Sequence, residues 1–336
     1  MSRVARALGV AALGALAWGV AVEPRLFTLR RHTLPLLPAR AAGDARAADG
    51  ARGESGARAE SRAAPAPLRV LQLSDLHLAP WQHRKIDWVR RLTELRPDLL
   101  VLTGDLLGHV EARGALLHAL RPLAEAGVPG IFVHGSNDYY GPILKNPFKY
   151  LTAPSRLSTR QQDIDNVALT RGLTELGFVD LNNSATRLTL RGSELELFGL
   201  GDPHIRYDDA ERMRAVLDKL RSTPSSAPLT SVGSAARIGI VHAPYRNALN
   251  SLLVAGADLI LGGHTHGGQV RVPGIGALTA NCDLPVHQAR GLSVWYDAER
   301  AAYLNVSAGL GASIYAPIRF ACRPEVSLLT LEPGAA

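Results

Sequence analysis

The sequence predicts an α/β protein whose functional site lies at one edge of a β-sheet. Short apolar runs typical of buried strands recur along the chain from residue 68 onward. Helix-like stretches at 85–95 and 112–126 separate the first of these runs. Each run ends in polar residues. Because parallel strands bring their carboxyl ends to a common edge, we expect these polar side chains to lie close together.

The first 25 residues are typical of a signal anchor or a signal peptide. Arg3 and Arg6 precede an apolar run, Ala7–Val22, which is shorter than the roughly 20 residues that span a bilayer comfortably. Gly19–Ala21 has the small-x-small pattern of a cleavage site. The three arginines at 25–31 outnumber the two before the run, so the pattern favours membrane association with the rest of the chain on the cytoplasmic side.

Three further segments follow. Residues 26–38 alternate partly between apolar and polar side chains, which predicts an edge strand. Residues 39–67 consist almost entirely of Ala, Arg, Gly, Asp, Glu, Ser and Pro. Such a composition buries too little apolar surface to order itself, so we interpret this segment as a disordered insertion. The apolar pattern begins at Leu68, and residues 68–336 form the catalytic domain.

The net charge of +7 is concentrated at the N-terminus. Residues 1–67 contain ten arginines and five acidic residues, which leaves 27 basic and 25 acidic residues in the rest of the chain. An excess beside an apolar run fits a membrane surface better than a nucleic-acid groove, so we predict no nucleic-acid partner. We interpret Cys282 and Cys322 as buried thiols, although two cysteines could also pair.

Strand-like runs end repeatedly in acidic, amide or imidazole side chains. These ends carry Asp75 and His77, Asp105, Asn137 and Asp138, Asp202, His242, and His264 with His266. The last pair is the most informative, because two imidazoles two residues apart lie on the same side of an extended backbone, and the flanking glycines let that backbone turn. This spacing suits metal binding and has little value for packing.

Seven of these side chains are candidate metal ligands: Asp75, His77, Asp105, Asn137, His242, His264 and His266. Seven ligands are more than one metal ion needs and about enough for two. The mixture of carboxylate, amide and imidazole suits Mn²⁺, Fe or Zn²⁺ better than Ca²⁺. A shared carboxylate would hold two such cations roughly 3.5–4 Å apart, where both can contact one phosphoryl group.

The ordered motifs Asp75-x-His77, Gly104-Asp105, Gly135-x-Asn137-Asp138, His242 and Gly263–His266 resemble those of the calcineurin-like metallophosphoesterase superfamily. The longer GHTHGGQ form, together with the apolar N-terminus, is similar to the membrane-associated bacterial branch. The resemblance covers about residues 68–331. It implies a four-layer αββα sandwich and hydrolysis of phosphomonoesters or phosphodiesters, with a lipid-linked substrate suggested by the apolar N-terminus.

The resemblance also implies a role for each ligand. Asp75, His77 and His266 would bind the first metal ion and Asp105 would bridge the two, while Asn137, His242 and His264 would bind the second. A hydroxide that bridges the metal ions would attack phosphorus in line with the leaving group. We therefore assign catalytic roles to Asp105, Asn137 and His266.

One motif departs from the family pattern of Gly-Asn-His-Asp/Glu. This chain has Gly135-Ser136-Asn137-Asp138, so no histidine stands where the family places its leaving-group acid. If this motif is aligned with the family pattern without a gap, Ser136 occupies the ligand position. If it is aligned by the chemistry of the side chains, Asn137 is the ligand, because it is the better ligand for a metal ion. His134 stands one residue before the turn, and we interpret His204 as a loop histidine.

Two functions remain open at this point. The altered motif is the only support for a membrane-tethered scaffold that keeps the fold without turnover, whereas the other ligand positions favour an enzyme. A dinucleotide-dependent dehydrogenase is excluded, because no G-x-G-x-x-G follows the first strand of the domain.

Overall fold

The computed structural model describes residues 3–37, 66–143, 161–223 and 235–334. The predicted insertion at 39–67 lies outside these residues except for its last two positions. Nothing in the structure therefore bears on the disorder that we expect there.

The first sheet has six strands in the order β1-β14-β2-β3-β4-β5. These strands are β1 (Thr28–Leu37), β2 (Leu68–Leu73), β3 (Leu99–Thr103), β4 (Gly130–Val133), β5 (Phe178–Asp180) and β14 (Glu325–Pro333). β14 runs antiparallel to β2, and all other neighbours are parallel. β1 lies at the edge of this sheet, within the segment where the sequence predicts an edge strand.

The second sheet also has six strands, in the order β12-β13-β9-β8-β7-β6. They are β6 (Ser184–Leu190), β7 (Ser193–Gly199), β8 (Ala236–Ile240), β9 (Leu259–Gly262), β12 (Gly291–Tyr296) and β13 (Ala301–Val306), and a small hairpin adds β10 (Arg271–Val272) and β11 (Gly276–Ala277). β7, β8 and β9 are parallel, so their carboxyl ends meet at one edge.

Helices cover the outer face of each sheet. They are α2 (His83–Arg90), α3 (Arg113–Glu125) and α4 (Asn166–Glu175) on the first sheet, and α5 (Ala210–Ser222) and α6 (Arg246–Val254) on the second. A third apolar core joins the inner faces of the two sheets, for example Val70 and Val101 of the first with Ile238 and Leu261 of the second. The layers therefore follow the order α/β/β/α that the resemblance implies.

The local sequence explains why these elements form where they do. Every residue of β3 is buried, as expected for a continuous apolar run in a parallel sheet covered on both faces. The helix-like stretch at 85–95 is helical, with its second half, Arg91–Leu95, in a tighter 3₁₀ turn before Pro97. α4 begins at a side-chain cap, because Asp165 accepts the N–H of Ala168.

The N-terminus forms α1 (Arg3–Ala17), which continues into a π-helical turn, Trp18–Val22. Among the described residues, no helix combines the length and the apolar character that crossing a membrane requires. The membrane-spanning segment expected from the sequence is therefore not supported. The end of this segment instead packs on the domain, where the carbonyl of Gly19 accepts the N–H of Arg319.

Candidate metal centre

The carboxyl ends of both sheets meet where the predicted ligands lie. Asp75, Asp105 and Asn137 follow β2, β3 and β4 of the first sheet, and His242 and His264 follow β8 and β9 of the second. Five of the seven predicted ligands have a positive φ: Asp75, His77, Asp105, His264 and His266. Non-glycine residues rarely adopt this conformation, and such strain is concentrated at functional sites.

The first group of candidate ligands comprises Asp75, His77 and His266, whose ligand atoms all lie within 4.8 Å of one another. The Nε2 atoms of His77 and His266 are 3.3 Å apart, and Nε2 of His266 lies 3.6 Å from Oδ1 of Asp75. His266 places its other ring nitrogen, Nδ1, 3.2 Å from the carbonyl oxygen of Gly311. A proton on Nδ1 would donate to that carbonyl and leave Nε2 as a lone pair directed at the group.

The second group comprises Asp75, Asp105 and His242. Nδ1 of His242 lies 2.8 Å from the carbonyl oxygen of Thr103, to which it donates, so that Nε2 is the atom that faces Asp105 at 3.5 Å. This buried Nε2 has no hydrogen-bond partner among the described residues. A buried imidazole nitrogen that faces a carboxylate and has no hydrogen-bond partner fits a metal ligand once it is deprotonated, and a hydrogen bond from the other ring nitrogen to a carbonyl orients metal-binding histidines in general.

Asp105 lies between the two groups. Its Oδ2 is 3.5 Å from Nε2 of His77 on one side and 3.5 Å from Nε2 of His242 on the other. This is where a carboxylate shared by two cations has to be. The donor set of two carboxylates and three imidazoles fits divalent transition metals.

Burial controls the protonation of the site. It lowers the pKa of His77 to about 4 and holds the pKa of His266 well below its usual range. Both imidazoles are therefore neutral at physiological pH, which is the form that binds metal. Burial raises the pKa of Asp75 to about 6. A cation bound between these groups would compensate the buried carboxylate charge.

Asp105 and His242 form a strongly coupled pair. Burial by itself would raise the pKa of Asp105, but the charge and hydrogen bond of His242 hold it well below its ordinary value. Burial by itself would lower the pKa of His242, yet Asp105 and then Asp202 hold it well above its ordinary value. The protein without metal thus keeps one positive charge beside Asp105, at a position that a cation would take over.

The altered turn lies directly against Asp105. The backbone N–H of Asn137 donates to Oδ1 of Asp105 and its side-chain Nδ2 donates to Oδ2, both at 2.7 Å. A Cβ on Gly135 would meet Oδ1 of Asp105 at 2.4 Å, so the close approach requires glycine. Asp138 fixes the turn from behind, since it accepts the N–H groups of Gly135 and Leu106.

His264 contacts the site differently from the other ligands. Its backbone N–H donates to the carboxylate of Asp75, at 3.0 Å from Oδ2. Its ring lies 5.2 Å from that of His242, while its Nε2 is 3.2 Å from the carbonyl oxygen of Asn281. Within the described residues, His264 belongs to neither three-residue group.

A family model for calcineurin-like phosphoesterases matches residues 68–268, which is more than half of the chain. The chain belongs to this family. It is a phosphoric ester hydrolase, and the family uses divalent metal ions. Family membership favours an enzyme over the scaffold interpretation, which depended on the altered turn alone.

Curated relatives of this metallophosphoesterase cover most of its length. Phosphodiesterase YaeI of Escherichia coli is 29% identical over 273 residues, which is 79% of this chain and 83% of the relative. UDP-2,3-diacylglucosamine pyrophosphatase LpxG of Chlamydia trachomatis is 28% identical over 299 residues, or 78% of this chain and 83% of the relative. Among solved structures, phosphopantetheinyl hydrolase of Mycobacterium tuberculosis has a TM-score of 0.38 at 13% identity, over 72% of this chain and 89% of that one.

Two residues of the metallophosphoesterase site were not among the predicted ligands. Asp202 is fully buried, and burial raises its pKa to about 7. The ring of His204, which we interpreted as a loop histidine, is tilted against that of His264 at a centroid distance of 4.5 Å, and its Nδ1 lies 3.0 Å from the hydroxyl of Tyr245. The sequence signal for both was the strand-end pattern at Gly201-Asp202. His134 points elsewhere, with its Nε2 2.8 Å from Oγ1 of Thr170.

Proposed function

We propose that this metallophosphoesterase hydrolyses phosphomonoester or phosphodiester bonds with two metal ions held at the meeting edge of the two sheets. The observation that supports this most directly is the position of Asp105, 3.5 Å from imidazole nitrogens on both sides. Two bound divalent cations, Mn²⁺, Fe or Zn²⁺, would supply Lewis-acid charge and lower the pKa of a water nucleophile.

The chain's own residues would divide the site between two cations. Asp75, His77 and His266 would hold the first, as their mutual distances support. His242 would hold the second through Nε2, with Asn137 and His264 completing its surroundings, and Asp105 would serve both. The buried, neutral imidazoles of His77 and His266 present lone pairs without competing protons, whereas His242 has to release a proton, and the buried carboxylates supply the negative charge that attracts cations.

Departure of the leaving group would proceed without a histidine at the family position. Asn137 occupies the turn and donates to Asp105, and an amide carries no transferable proton. The side chain of His134 contacts Thr170 and not the metal site. The enzyme would therefore act best on esters whose leaving groups need little protonation, such as phosphate anhydrides and aryl esters.

A phosphodiester or pyrophosphate on a lipid-linked molecule is the substrate class that we propose. The names of two relatives, a phosphodiesterase and a diacylglucosamine pyrophosphatase, support the chemistry and the lipid. A polar cavity of about 850 Å³ adjoins the altered turn, lined by residues that include Tyr139, Asn183, Arg206 and Tyr207. Its polar lining suits the head group of such a substrate better than an acyl chain.

We also propose that α1 associates with a membrane surface. Its apolar side chains are exposed, with Val10 70%, Leu13 68% and Leu16 53% accessible to solvent. A helix that exposes apolar side chains and carries arginines at its free end fits the boundary of an anionic bilayer.

Asp105→Asn tests the two-metal reaction. Purified full-length protein would be assayed with bis-p-nitrophenyl phosphate at saturating Mn²⁺. We expect the substitution to reduce turnover about a thousandfold or more, because it removes a charge shared by two cations that together stabilise the transition state by several kcal/mol. Asp218→Asn, the same change at an exposed position, is the control. Turnover within twofold of the natural protein in the Asp105 variant would show that the reaction does not use this site.

A further inference from the structure

A buried arginine lies directly behind the first group of ligands. Arg319 has no solvent-accessible surface, and its guanidinium donates to the backbone carbonyls of Ala308, Gly309 and Gly311 from one side and to that of Cys322 from the other. A guanidinium buried among carbonyl groups costs much desolvation free energy, and burial accordingly lowers its pKa. Arg319 thereby links the segment 308–311 to the segment 319–322.

These two segments determine the orientation of His266. The carbonyl oxygen of Gly311, which Arg319 also contacts, lies 3.2 Å from Nδ1 of His266, and a guanidinium nitrogen of Arg319 lies 3.4 Å from the same ring nitrogen. Cys322 contacts His266 directly, since its Sγ lies 3.2 Å from the carbonyl oxygen of His266. A Cβ on the next residue, Gly267, would meet that sulfur at 2.8 Å. The loop 319–322 is therefore the surface against which the metal-facing imidazole is held.

The N-terminal segment holds this loop in place. Glu23 is 4% exposed, and its carboxylate accepts three hydrogen bonds, from the backbone N–H groups of Ala321 and Cys322 and from Nε1 of Trp18. The carbonyl of Gly19 accepts the N–H of Arg319 at 2.8 Å. These hydrogen bonds thus hold Arg319 and Cys322, the two loop residues that contact His266.

The loop needs such support because its backbone is strained. Ala321 has a φ of +51°, a left-handed conformation that is unfavourable for a non-glycine residue. A carboxylate that accepts the N–H groups of both Ala321 and Cys322 stabilises that conformation with two hydrogen bonds. Without Glu23, the loop would relax and its contacts to His266 would change.

We infer that Glu23 is a positioning residue of the metal centre, acting through the loop 319–322 on His266, although it lies outside the family domain at residues 68–268. The inference rests on the proposed role of His266 as a ligand. The N-terminal segment from Trp18 to Arg25 then helps to set the geometry of the active site, in addition to the membrane association proposed for α1. A cut after Ala21 would remove the Gly19 carbonyl and the Trp18 indole from this arrangement.

The test measures metal binding, because a purely structural role for Glu23 would not change the affinity of one metal site alone. Full-length protein stripped of metal would be titrated with Co²⁺ by calorimetry, with the visible spectrum of the bound Co²⁺ recorded in parallel. The variants are Glu23→Ala, Glu23→Gln and Trp18→Phe, with Glu299→Gln as the control at an exposed glutamate. His266→Ala identifies which of the two binding events belongs to the first site.

We expect Glu23→Ala to weaken Co²⁺ binding at the His266 site about tenfold, the lower end of the range for residues behind a metal ligand, and to leave the other site unchanged. Glu23→Gln, which keeps one acceptor oxygen, should lose less, and Trp18→Phe least of all. The spectrum of the His266 site should shift in the order of these losses. Should Glu23→Ala fail to fold, the same comparison between Glu23→Gln and the control decides the outcome.

Two negative outcomes have different meanings. If the natural protein binds two Co²⁺ and His266→Ala loses one, but the Glu23 variants bind both with affinities within twofold of the natural protein, the positioning role is wrong and the proposed function stands. If the natural protein binds fewer than two Co²⁺, or His266→Ala changes nothing, the two-metal site itself is wrong.

Discussion

Asn137→Ala is the substitution that most directly tests how the altered turn works. The change removes the bond from Nδ2 to Oδ2 of Asp105 and leaves the backbone N–H bond to Oδ1 in place. A hydrogen bond to a buried charged group contributes about 1.5–3 kcal/mol. At about 1.4 kcal/mol for each factor of ten, the loss of this bond corresponds to a roughly 10- to 150-fold lower metal affinity, because the carboxylate that both cations would share is positioned less firmly. If the Asn137 oxygen also binds the second cation, the loss will exceed this range.

The assay compares Asn137→Ala with Ser136→Ala, its neighbour in the same turn. Metal affinity would be measured by titration of the metal-free protein with Mn²⁺, and turnover with bis-p-nitrophenyl phosphate at saturating Mn²⁺. We expect Asn137→Ala to lower the affinity of one site by the factor given above, while Ser136→Ala changes it less than threefold. The opposite order would show that the turn follows the family pattern without a gap and that Ser136 occupies the ligand position.

Three further predictions concern the chemistry, the pH dependence and the membrane. Hydrolysis rates should depend steeply on the pKa of the leaving group. The double change Ser136→Asn with Asn137→His should accelerate the hydrolysis of alkyl esters more than that of nitrophenyl esters. A flat dependence in the natural enzyme would mean that another group supplies the proton. Burial raises the pKa of Asp75 to about 6 and the acidic neighbours of His242 hold its pKa well above the usual value, so each must release a proton to bind metal. Mn²⁺ affinity at the His242 site should then fall about tenfold per pH unit below neutrality, and affinity at the Asp75 site should fall about tenfold per unit below pH 6; affinities independent of pH from 5 to 8 would exclude these ligands. Leu13→Asp in the full chain should reduce co-flotation with vesicles of phosphatidylcholine and phosphatidylserine, and equal flotation of both proteins, or none of either, would exclude α1 as the contact.

Local sequence patterns predicted the six strands of the catalytic domain that end at the candidate site. The runs that begin at Leu68, Leu99 and Gly130 are almost entirely apolar and buried, and each forms a strand of the first sheet. Apolar periodicity is a property of neighbouring residues, so it can be read without knowledge of the fold. Such patterns did not show how the strands combine, for example that β14 lies between β1 and β2.

The positions of the candidate ligands were predictable for a related reason. Parallel strands deliver their carboxyl ends to one edge of their sheet, so the polar residues after Leu73 and Thr103 had to approach one another, as had those after Ile240 and Gly262. That these two edges meet was decided by the packing of the two sheets. What the pattern could not decide is the orientation of each side chain. His134 and His204 both stand near strand ends, yet the ring of His134 contacts Thr170 while that of His204 contacts His264.

The sequence by itself therefore determined the α/β class, the order of the motifs and the family to which they belong, because each depends on residues close together in the chain. Only the tertiary structure decided which distant segments support those residues. Glu23 and Cys322 are 299 positions apart, and no local pattern marks either as part of the site. They meet because β1 and β14 pair in parallel along one edge of the first sheet, which brings the segments that precede these two strands together behind His266.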